Sequence, residues 1–267
     1  MNILESIILG IVQGLTEFLP VSSSGHLVLL QNLFGVSEPQ LFLDIMLHVG
    51  TLVSVVIIFF KDIVAIFKKP FGKMTWLLVI ATIPAIAVAI LFNDLVNDAF
   101  TGMYLAFGFI LTGIILTVSE MLAKRRTGKQ KKGIHFTDAG VMGVMQAIAI
   151  FPGVSRSGST ISGGLFRRVD RRLAARFSFL MSIPVIIGAV VMQAIDLGET
   201  GVGDVNWLAV VLGMVFAAVA GFVAVKFMLA LITRHKLYGF AVYVGILGAL
   251  VLIDQLAFNV FFINPFA

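Results

Sequence analysis

Hydrophobic residues occur along the chain in stretches long enough to cross a bilayer, and short polar connections separate these stretches. A helix needs about 20 apolar residues to span the hydrocarbon core of a membrane. The expected fold class is therefore an all-α polytopic membrane protein. Six spanning helices are predicted, at residues 41–60, 76–92, 101–119, 177–195, 207–231 and 238–254.

Two further apolar segments, 5–35 and 139–166, are each interrupted by a cluster of Pro, Gly and Ser. The second limbs of these segments, 27–34 and 161–166, are too short to span a membrane. We expect each segment to form a re-entrant helix pair, which enters and leaves the membrane on one face. The polar cluster then lies at the tip of the pair.

The two interruptions contain the same polar motif in degenerate form. The motif begins at Gln13 in the first copy and at Gln146 in the second, and the copies align without a gap. Both copies have Gln, Phe, Val, Ser, Ser and Gly at matched places. We therefore expect one integral membrane domain over residues 1–267, built from pseudo-repeats 1–119 and 139–254.

The composition argues against a water-soluble protein. The chain is 59% hydrophobic and 12% charged, whereas soluble domains contain about 25% charged residues. The net charge of +5 is explained by basic loops, so no nucleic-acid partner is expected. Without cysteine there are no disulfides or thiolate metal sites. No Walker A, GxGxxG or HExxH motif supports ATP-driven transport, dinucleotide chemistry or a zinc protease.

The distribution of Lys and Arg predicts the orientation of the helices. Of the nineteen Lys and Arg residues, all except Lys226 and Arg156 lie in connections 61–75, 120–138, 167–176 and 233–237, which are expected in the cytoplasm. The acidic loops 93–100 and 196–206, like both termini, are expected outside. Three spanning helices separate the two re-entrant pairs, so the pairs enter from opposite faces. The expected architecture is an inverted-topology repeat whose tips meet near the midplane.

The first tip is preceded by an amide and a carboxylate. Gln13 and Glu17 are four residues apart, which places them on one face of a helix that Pro20 ends. An ionisable group inside a membrane is costly and is usually functional. The alternative is a structural hydrogen bond or a carboxylate at the membrane interface.

The first tip itself combines hydroxyl groups with an imidazole. Serine oxygens and free backbone N–H groups at the start of a helix form an anion site, and the candidate substrate-binding residues are Ser22, Ser24 and Gly25. His26 follows Ser23 by three residues, so the two can share a face as a nucleophile and a base. In the alternative interpretation the serines only cap the helix and His26 lies in the interface.

The second tip adds a guanidinium, Arg156, to the same type of anion site. Its fork of donors matches phosphate oxygens, and Glu17 across the repeat axis would relieve the cost of burying it. The alternative is a purely structural Arg–Glu pair. Asp44 and His48 could line the mouth of the site or form a structural pair. The candidate substrate-binding residues of this tip are Ser155, Ser157, Gly158 and Thr160.

These motifs resemble those of a known family. Residues 13–26 and 152–164 are similar to the two motifs of the bacterial undecaprenyl-diphosphate phosphatases, also called the bacitracin-resistance family. The resemblance covers the whole chain. It implies removal of the terminal phosphate of undecaprenyl diphosphate, which recycles the carrier lipid for cell-wall synthesis and confers bacitracin resistance.

The resemblance also implies roles for single residues and partners. It implies catalysis by Glu17, Ser23, His26 and Arg156, and a divalent cation, Mg²⁺ or Ca²⁺, at Glu17 with Gln13 beside it. Many members have Glu where this chain has Gln13, which weakens the case for two carboxylate ligands. The expected location is the bacterial cytoplasmic (inner) membrane, with the site open to the outside. The expected partners are the lipid substrate, bilayer lipids and a second copy in a homodimer.

A different class of function fits the same features. Inverted repeats with paired re-entrant tips are common in carriers, and a lipid-phosphate flippase would need the same anion site. Release of phosphate distinguishes the two classes, since a pure carrier releases none. If the chain is a phosphatase, attack by Ser23 and attack by a metal-bound water both remain open.

Overall fold

The structure is a computed structural model, and it describes residues 2–35, 41–125, 130–200 and 205–262. Helices dominate these ranges, which contain no named strand. The predicted all-α class is therefore confirmed. The helices are α1 (Ile3–Phe18), α2 (Ser23–Leu33), α3 (Leu41–Ile58), α4 (Phe60–Lys68), α5 (Lys73–Leu91), α6 (Asn93–Ala99), α7 (Leu105–Arg125), α8 (Phe136–Ile148), α9 (Arg156–Phe166), α10 (Arg171–Thr200), α11 (Trp207–Arg234) and α12 (Tyr238–Ile253), which a π-turn (Asp254–Phe258) extends.

Five of the described helices are long and apolar enough to cross a membrane: α5, α7, α10, α11 and α12 with its π-turn. Their positions agree with five of the six predicted spans. The sixth prediction, at 41–60, corresponds to α3, which meets the same test only together with α4. The chain is thus a multi-pass membrane protein, and its described residues contain five candidate spans, or six if this pair is one span.

The predicted span at 41–60 ends earlier than expected. α3 and α4 are bent against each other by 77°, and α4 occupies most of the connection predicted at 61–75. The sequence of α4 alternates Lys61 and Lys68 with exposed aromatic rings such as Phe60 and Phe67. A straight continuation of α3 would bury these charges in hydrocarbon, so the bend keeps them accessible to water.

The two interrupted segments form short helices, as the sequence predicts. α1 has 16 residues and α2 has 11, and the second segment has 13 in α8 and 11 in α9. None of the four reaches the length of a span. α1 ends at Phe18 because Pro20 cannot continue it. The chain therefore turns at 19–22 and at 149–155, where the polar motifs lie.

Close backbone packing holds α1 and α8 at equivalent places in the two halves. α1 packs against α11, and a Cβ atom on Gly10 would lie 2.2 Å from the carbonyl oxygen of Gly213. α8 packs against α5, and a Cβ atom on Gly143 would lie 2.7 Å from the carbonyl oxygen of Ala81. Both positions require glycine, since small residues let membrane helices approach closely.

Carboxylates bind several arginines of the predicted cytoplasmic connection 167–176. Arg167 donates to Asp138 at 2.9 Å, Arg176 donates to Asp62 at 3.0 Å, and Arg171 donates to the buried Glu120. Glu120 also accepts from the backbone N–H of Leu237 at 2.9 Å. These ion pairs join the ends of neighbouring helices, so their role in the described structure is structural.

Asp138 begins α8 in a strongly basic environment. Its side chain accepts from Lys131 at 2.6 Å and from the backbone N–H of His135 at 3.1 Å. Burial alone would raise the pKa of Asp138, but hydrogen bonds from Lys131 and Arg167 lower it below the usual value. Of the predicted charged loops, residues 126–129 and Asp204 lie outside the described residues, as do the side chains of Asp94, Asp196 and Glu199.

Candidate active site

The two polar tips contact each other directly. The hydroxyl of Ser157 in the second tip donates to the carbonyl oxygen of Leu19 in the first, at 2.8 Å. A Cβ atom on Gly25 would lie 3.0 Å from Cα of Gly153, and one on Gly158 would lie 3.2 Å from Cβ of Pro20. Glycine at both places allows this approach, so side chains from the two halves face one common region.

An ion pair joins the tips at this contact. Nη2 of Arg156 donates to Oε1 of Glu17 at 2.7 Å, and the two side chains are 12% and 7% exposed. This is the pairing that the sequence predicts as relief for the buried arginine. The second terminal nitrogen, Nη1, has among the described residues only a long contact of 3.4 Å to the carbonyl oxygen of Ser178. Arg156 therefore has donor capacity left for an anion.

The Glu17 carboxylate also accepts a hydrogen bond from the Ser23 hydroxyl of the first tip. Oγ of Ser23 donates to Oε2 of Glu17 at 2.5 Å, and Nε2 of Gln13 donates to the same oxygen at 3.1 Å. A carboxylate that accepts a short hydrogen bond from a serine is placed to take its proton. The sequence predicted this role for the imidazole of His26, so the structure changes the partner of Ser23.

His26 has other partners for both of its ring nitrogens. Nδ1 lies 2.7 Å from the carbonyl oxygen of Ser22, and Nε2 lies 2.7 Å from the hydroxyl of Tyr243. Ser23 and His26 lie on the same first turn of α2, yet Ser23 faces α1 while His26 packs against Phe109 of α7 and Tyr243 of α12. The predicted hydroxyl–imidazole pair is replaced by two separate contacts.

Both second helices begin with the same cap. Oγ of Ser22 accepts from the backbone N–H of Gly25 at 3.3 Å, and Oγ of Ser155 accepts from Gly158 at 3.1 Å. A second serine oxygen lies beside each cap, from Ser24 at 3.4 Å and from Ser157 at 3.3 Å. The earlier N–H groups of each helix have no partner within the helix. Two helix N-termini therefore lie together where an anion would bind.

Several predicted substrate-binding hydroxyls have protein partners instead. Ser157 binds Leu19, and Oγ1 of Thr160 lies 2.6 Å from Oγ of Ser178 and 2.8 Å from the carbonyl oxygen of Arg156. The backbone N–H of Ser155 donates to Thr112 at 2.9 Å. These hydrogen bonds stabilise the tip, and the predicted role of Ser157 and Thr160 in substrate binding stays a prediction.

The predicted metal ligands, Gln13 and Glu17, lie together on α1. Oε1 of Gln13 is buried and has no hydrogen-bond partner among the described residues. The described residues contain no group of three His, Asp or Glu side chains that could hold a metal by itself. Mg²⁺ commonly takes one or two protein oxygens together with phosphate oxygens of a substrate. The free amide oxygen and the carboxylate fit that type of shared site.

Asp44 and His48 form a hydrogen-bonded cluster near the tip. Nε2 of Gln31 donates to both carboxylate oxygens of Asp44, at 2.9 and 3.2 Å, and Nδ1 of His48 donates to the backbone carbonyl of Asp44 at 2.7 Å. The cluster ties α2 to α3, which favours the structural interpretation.

Sequence reasoning missed Thr112, Ser178 and Tyr243, which support the tips from α7, α10 and α12. Each lies in a spanning helix, where a single hydroxyl in an apolar stretch gives no motif. They lie too far along the chain from the tips to form a local motif with them, since Tyr243 is 217 residues from His26. Only the fold brings them to the site.

Comparison with known proteins agrees with this geometry. The family model described as "bacitracin resistance protein BacA" matches residues 6–250, which include both tips and reach into α12. The chain belongs to this family.

Individual relatives match over nearly the full length. Undecaprenyl-diphosphatase 4 of Bacillus thuringiensis subsp. konkukian (strain 97-27) is 45% identical over 257 residues, which cover 96% of this chain and 98% of that protein. The undecaprenyl-diphosphatase of Carboxydothermus hydrogenoformans is 45% identical over 260 residues, covering 96% and 99%. That of Halothermothrix orenii is 43% identical over 256 residues, covering 95% and 98%.

Proposed function

We propose that this protein hydrolyses undecaprenyl diphosphate to undecaprenyl phosphate and inorganic phosphate. This activity would recycle the carrier lipid for cell-wall synthesis and confer resistance to bacitracin. The observation that carries the proposal is the cluster of Glu17, Ser23 and Arg156, which combines a base, a nucleophile and a phosphate ligand. The relatives that share the chain's full length are named for the same activity.

The cluster suggests a reaction by way of the serine. Glu17 takes the proton of the Ser23 hydroxyl, and the oxygen attacks the terminal phosphorus. The bond from that phosphorus to the bridging oxygen breaks, and undecaprenyl phosphate leaves. Glu17 gives its proton to the leaving phosphate and then takes one from a water molecule, whose oxygen attacks the phosphoserine. The bond from phosphorus to the Ser23 oxygen breaks, inorganic phosphate leaves, and Glu17 returns the proton to the Ser23 hydroxyl. Direct attack by water activated at Glu17 is the alternative route.

Charge stabilisation in this reaction comes from the second tip. As Nη1 of Arg156 has only a long contact to Ser178, it can turn to a phosphate oxygen while Nη2 keeps Glu17 in place. The free N–H groups at the starts of α2 and α9 add donors for the developing charge. The prenyl tail can remain between helices in the bilayer, since only the headgroup needs to reach the tips.

The cofactor belongs to the proposal. Oε1 of Gln13 and the carboxylate of Glu17 would hold a divalent cation, Mg²⁺ or Ca²⁺, because hard cations prefer oxygen ligands. When bound, the cation would neutralise charge on the diphosphate. Treatment with a chelator, followed by addition of each metal, would test this assignment.

The topology also belongs to the proposal. We infer an inverted-topology repeat in which α1–α2 and α8–α9 are re-entrant pairs. The matched serine caps and the matched close contacts of Gly10 and Gly143 support it. The basic residues around Asp138 favour a cytoplasmic location for the start of α8, which puts the start of α1 outside. We place the protein in the bacterial inner membrane with its site open to the outside, and a homodimer stays a prediction.

The test is phosphate release from a prenyl diphosphate by the purified protein in detergent. Wild type should release phosphate, and Ser23→Ala and Glu17→Gln should release almost none. Ser6→Ala is a matched control on α1, because its buried hydroxyl has no partner among the described residues. No release by wild type with either metal would contradict the proposal and favour a carrier. A phosphoenzyme trapped in wild type but absent in Ser23→Ala would establish the serine route.

A further inference from the structure

A tyrosine from the last spanning helix contacts the imidazole of the first tip in two ways. The hydroxyl of Tyr243 lies 2.7 Å from Nε2 of His26. The two rings are also stacked, with centroids 5.7 Å apart and planes inclined by 15°. Phe109 packs edge-on against the same imidazole, with centroids 5.5 Å apart. The ring of His26 is therefore held on its faces and at both nitrogens.

The hydrogen bonds of His26 determine where its proton lies. The carbonyl oxygen of Ser22 can only accept, so Nδ1 at 2.7 Å must donate. In the neutral imidazole Nε2 then has a lone pair and accepts from the hydroxyl of Tyr243. Both nitrogens are thus occupied, and neither is directed at Ser23.

The residue that His26 holds has an unusual backbone conformation. Ser22 has φ of +70°, a left-handed value that costs a non-glycine residue on the order of 1–3 kcal/mol. Its carbonyl oxygen accepts twice from His26, from Nδ1 and from the backbone N–H at 3.2 Å. The equivalent serine of the second tip, Ser155, has φ of −72°. There the place of His26 is taken by Ser159, whose buried hydroxyl has no partner among the described residues.

We propose that Tyr243 is a positioning residue for the reaction at the first tip. Its hydroxyl holds the Nδ1-protonated form of His26, which in turn keeps the strained Ser22 in place. The next residue, Ser23, is thereby directed at Glu17. His26 acts in this arrangement as a clamp and not as the base for Ser23. The inference rests on the proposed function only in its kinetic tests, which measure phosphate release.

The kinetic test removes one hydroxyl. Tyr243→Phe should lower kcat on the order of tenfold, because a small displacement of Ser23 weakens catalysis, and it should leave KM nearly unchanged. Tyr104→Phe is the matched control, an exposed tyrosine on the neighbouring segment before α7. Its kcat should equal that of wild type, and both variants should unfold at the wild-type temperature. An unchanged kcat in Tyr243→Phe would overturn the proposal.

Replacement of His26 distinguishes a role in holding Ser22 from a role as the base for Ser23. Asn places an N–H group where Nδ1 lies, and Gln places one near Nε2. His26→Asn should therefore keep at least ten times the kcat of His26→Gln, although neither amide can act as a base. In the His26→Asn background Tyr243→Phe should cause less than a twofold further loss. Equal loss in the Asn and Gln variants would show that His26 acts as a base and would overturn the clamp.

A spectroscopic test does not depend on activity. The chain has four histidines, so ¹⁵N-histidine labelling in detergent gives few signals, and His26→Asn identifies the one from His26. The His26 signals should show protonated Nδ1, and Tyr243→Phe should shift Nε2 alone. Protonated Nε2 with bare Nδ1 in wild type would overturn the proposal. If wild type releases no phosphate, the proposed function fails, and this measurement still tests the Tyr243–His26 contact.

Discussion

The two tips begin their second helices in the same way and differ in what they place beside them. Each has a serine cap, a neighbouring serine and a glycine at matched positions. The aligned residues then diverge, with Glu17 opposite Ile150, Ser23 opposite Arg156 and His26 opposite Ser159. The first tip holds the base and the hydroxyl, and the second holds the cation.

The two tips also differ in backbone conformation. The first tip contains the strained Ser22, which His26 holds, whereas the equivalent Ser155 lies in an ordinary extended conformation. The matched features produce a pair of helix N-termini, to which the proposed function assigns anion binding. The unmatched features give that region a serine hydroxyl on one side and a guanidinium on the other. Under the proposed repeat, the matched residues account for the shape of the site and the unmatched residues account for its chemistry.

Removal of either charge that joins the tips should have the largest effect. Glu17→Gln and Arg156→Gln are each expected to lower kcat on the order of 1,000-fold, because the proposed reaction uses Glu17 as the base and Arg156 as the phosphate ligand. Ile150→Val, at the position aligned with Glu17, is the control and should keep most of the activity. Phosphate release in detergent measures all three.

A stability measurement separates lost chemistry from lost fold in these variants. Removing one partner of a buried ion pair destabilises a protein by about 3–5 kcal/mol. The double variant Glu17→Gln with Arg156→Gln removes both charges, so it should unfold closer to the wild-type temperature and still be inactive. Activity in the double variant would contradict the roles given to the two residues.

The contact between the tips can be loosened from either side. Gly25→Ala should lower kcat on the order of 100-fold, because its Cβ atom would lie 2.7 Å from the ring of Phe109 and 3.0 Å from Gly153. Gly158→Ala should cost less than tenfold, since its nearest neighbours are 3.1–3.2 Å away. Side-by-side turnover measurements check the order, and a larger loss in Gly158→Ala would contradict it.

The strain at the first tip should appear in stability. Ser155→Ala removes a helix cap and should lower the free energy of unfolding by about 1 kcal/mol. Ser22→Ala removes the equivalent cap and keeps the left-handed backbone with its carbonyl hydrogen bonds from His26, so about 1 kcal/mol is expected here too. Ser22→Gly should recover most of that loss, whereas Ser155→Gly should gain no such benefit. Denaturant unfolding in detergent measures the four variants.

The smallest effect is expected at the outer ends of α1 and α8. Glu5 and Asp138 occupy equivalent places, but only Asp138 binds Lys131 and Arg167. Asp138→Asn should cost about 1 kcal/mol at neutral pH. The lowered pKa of Asp138 makes this contribution complete above the usual value of 3.8, and it is lost as the pH falls through the folded-state pKa. Glu5→Gln is the control at neutral pH, because the side chain of Glu5 binds the neutral Asn2.

Much of the fold follows from the lengths of apolar runs. Helices α5, α7, α10, α11 and α12 were predictable because about 20 apolar residues have few other stable arrangements in a bilayer. The turns at the tips were predictable from Pro20 and the surrounding Gly and Ser residues. The bend after Ile58 was not predicted, because the hydrophobic pattern continues across it and the charges of α4 were attributed to a connection.

The site was predictable to the level of its residues but not of all its contacts. An unpaired Arg156 and an intramembrane Glu17 each need a partner, so their pairing followed from charge alone. The partner of Ser23 did not, because two residues of one helical turn can face different neighbouring helices. Tyr243 had no sequence signal, since its hydrogen bond depends on how α12 packs beside α2.

The wide separation of the contacting residues has a consequence for biogenesis. The bond between Glu17 and Arg156 spans 139 residues, and the one between His26 and Tyr243 spans 217. A growing chain leaves the ribosome from its N-terminus, so the base and the hydroxyl enter the membrane long before the cation does. The imidazole gains its last support only when α12 inserts. On the proposed function, the nascent protein therefore cannot act on lipid diphosphates before Arg156 is inserted, and it reaches full turnover only after α12.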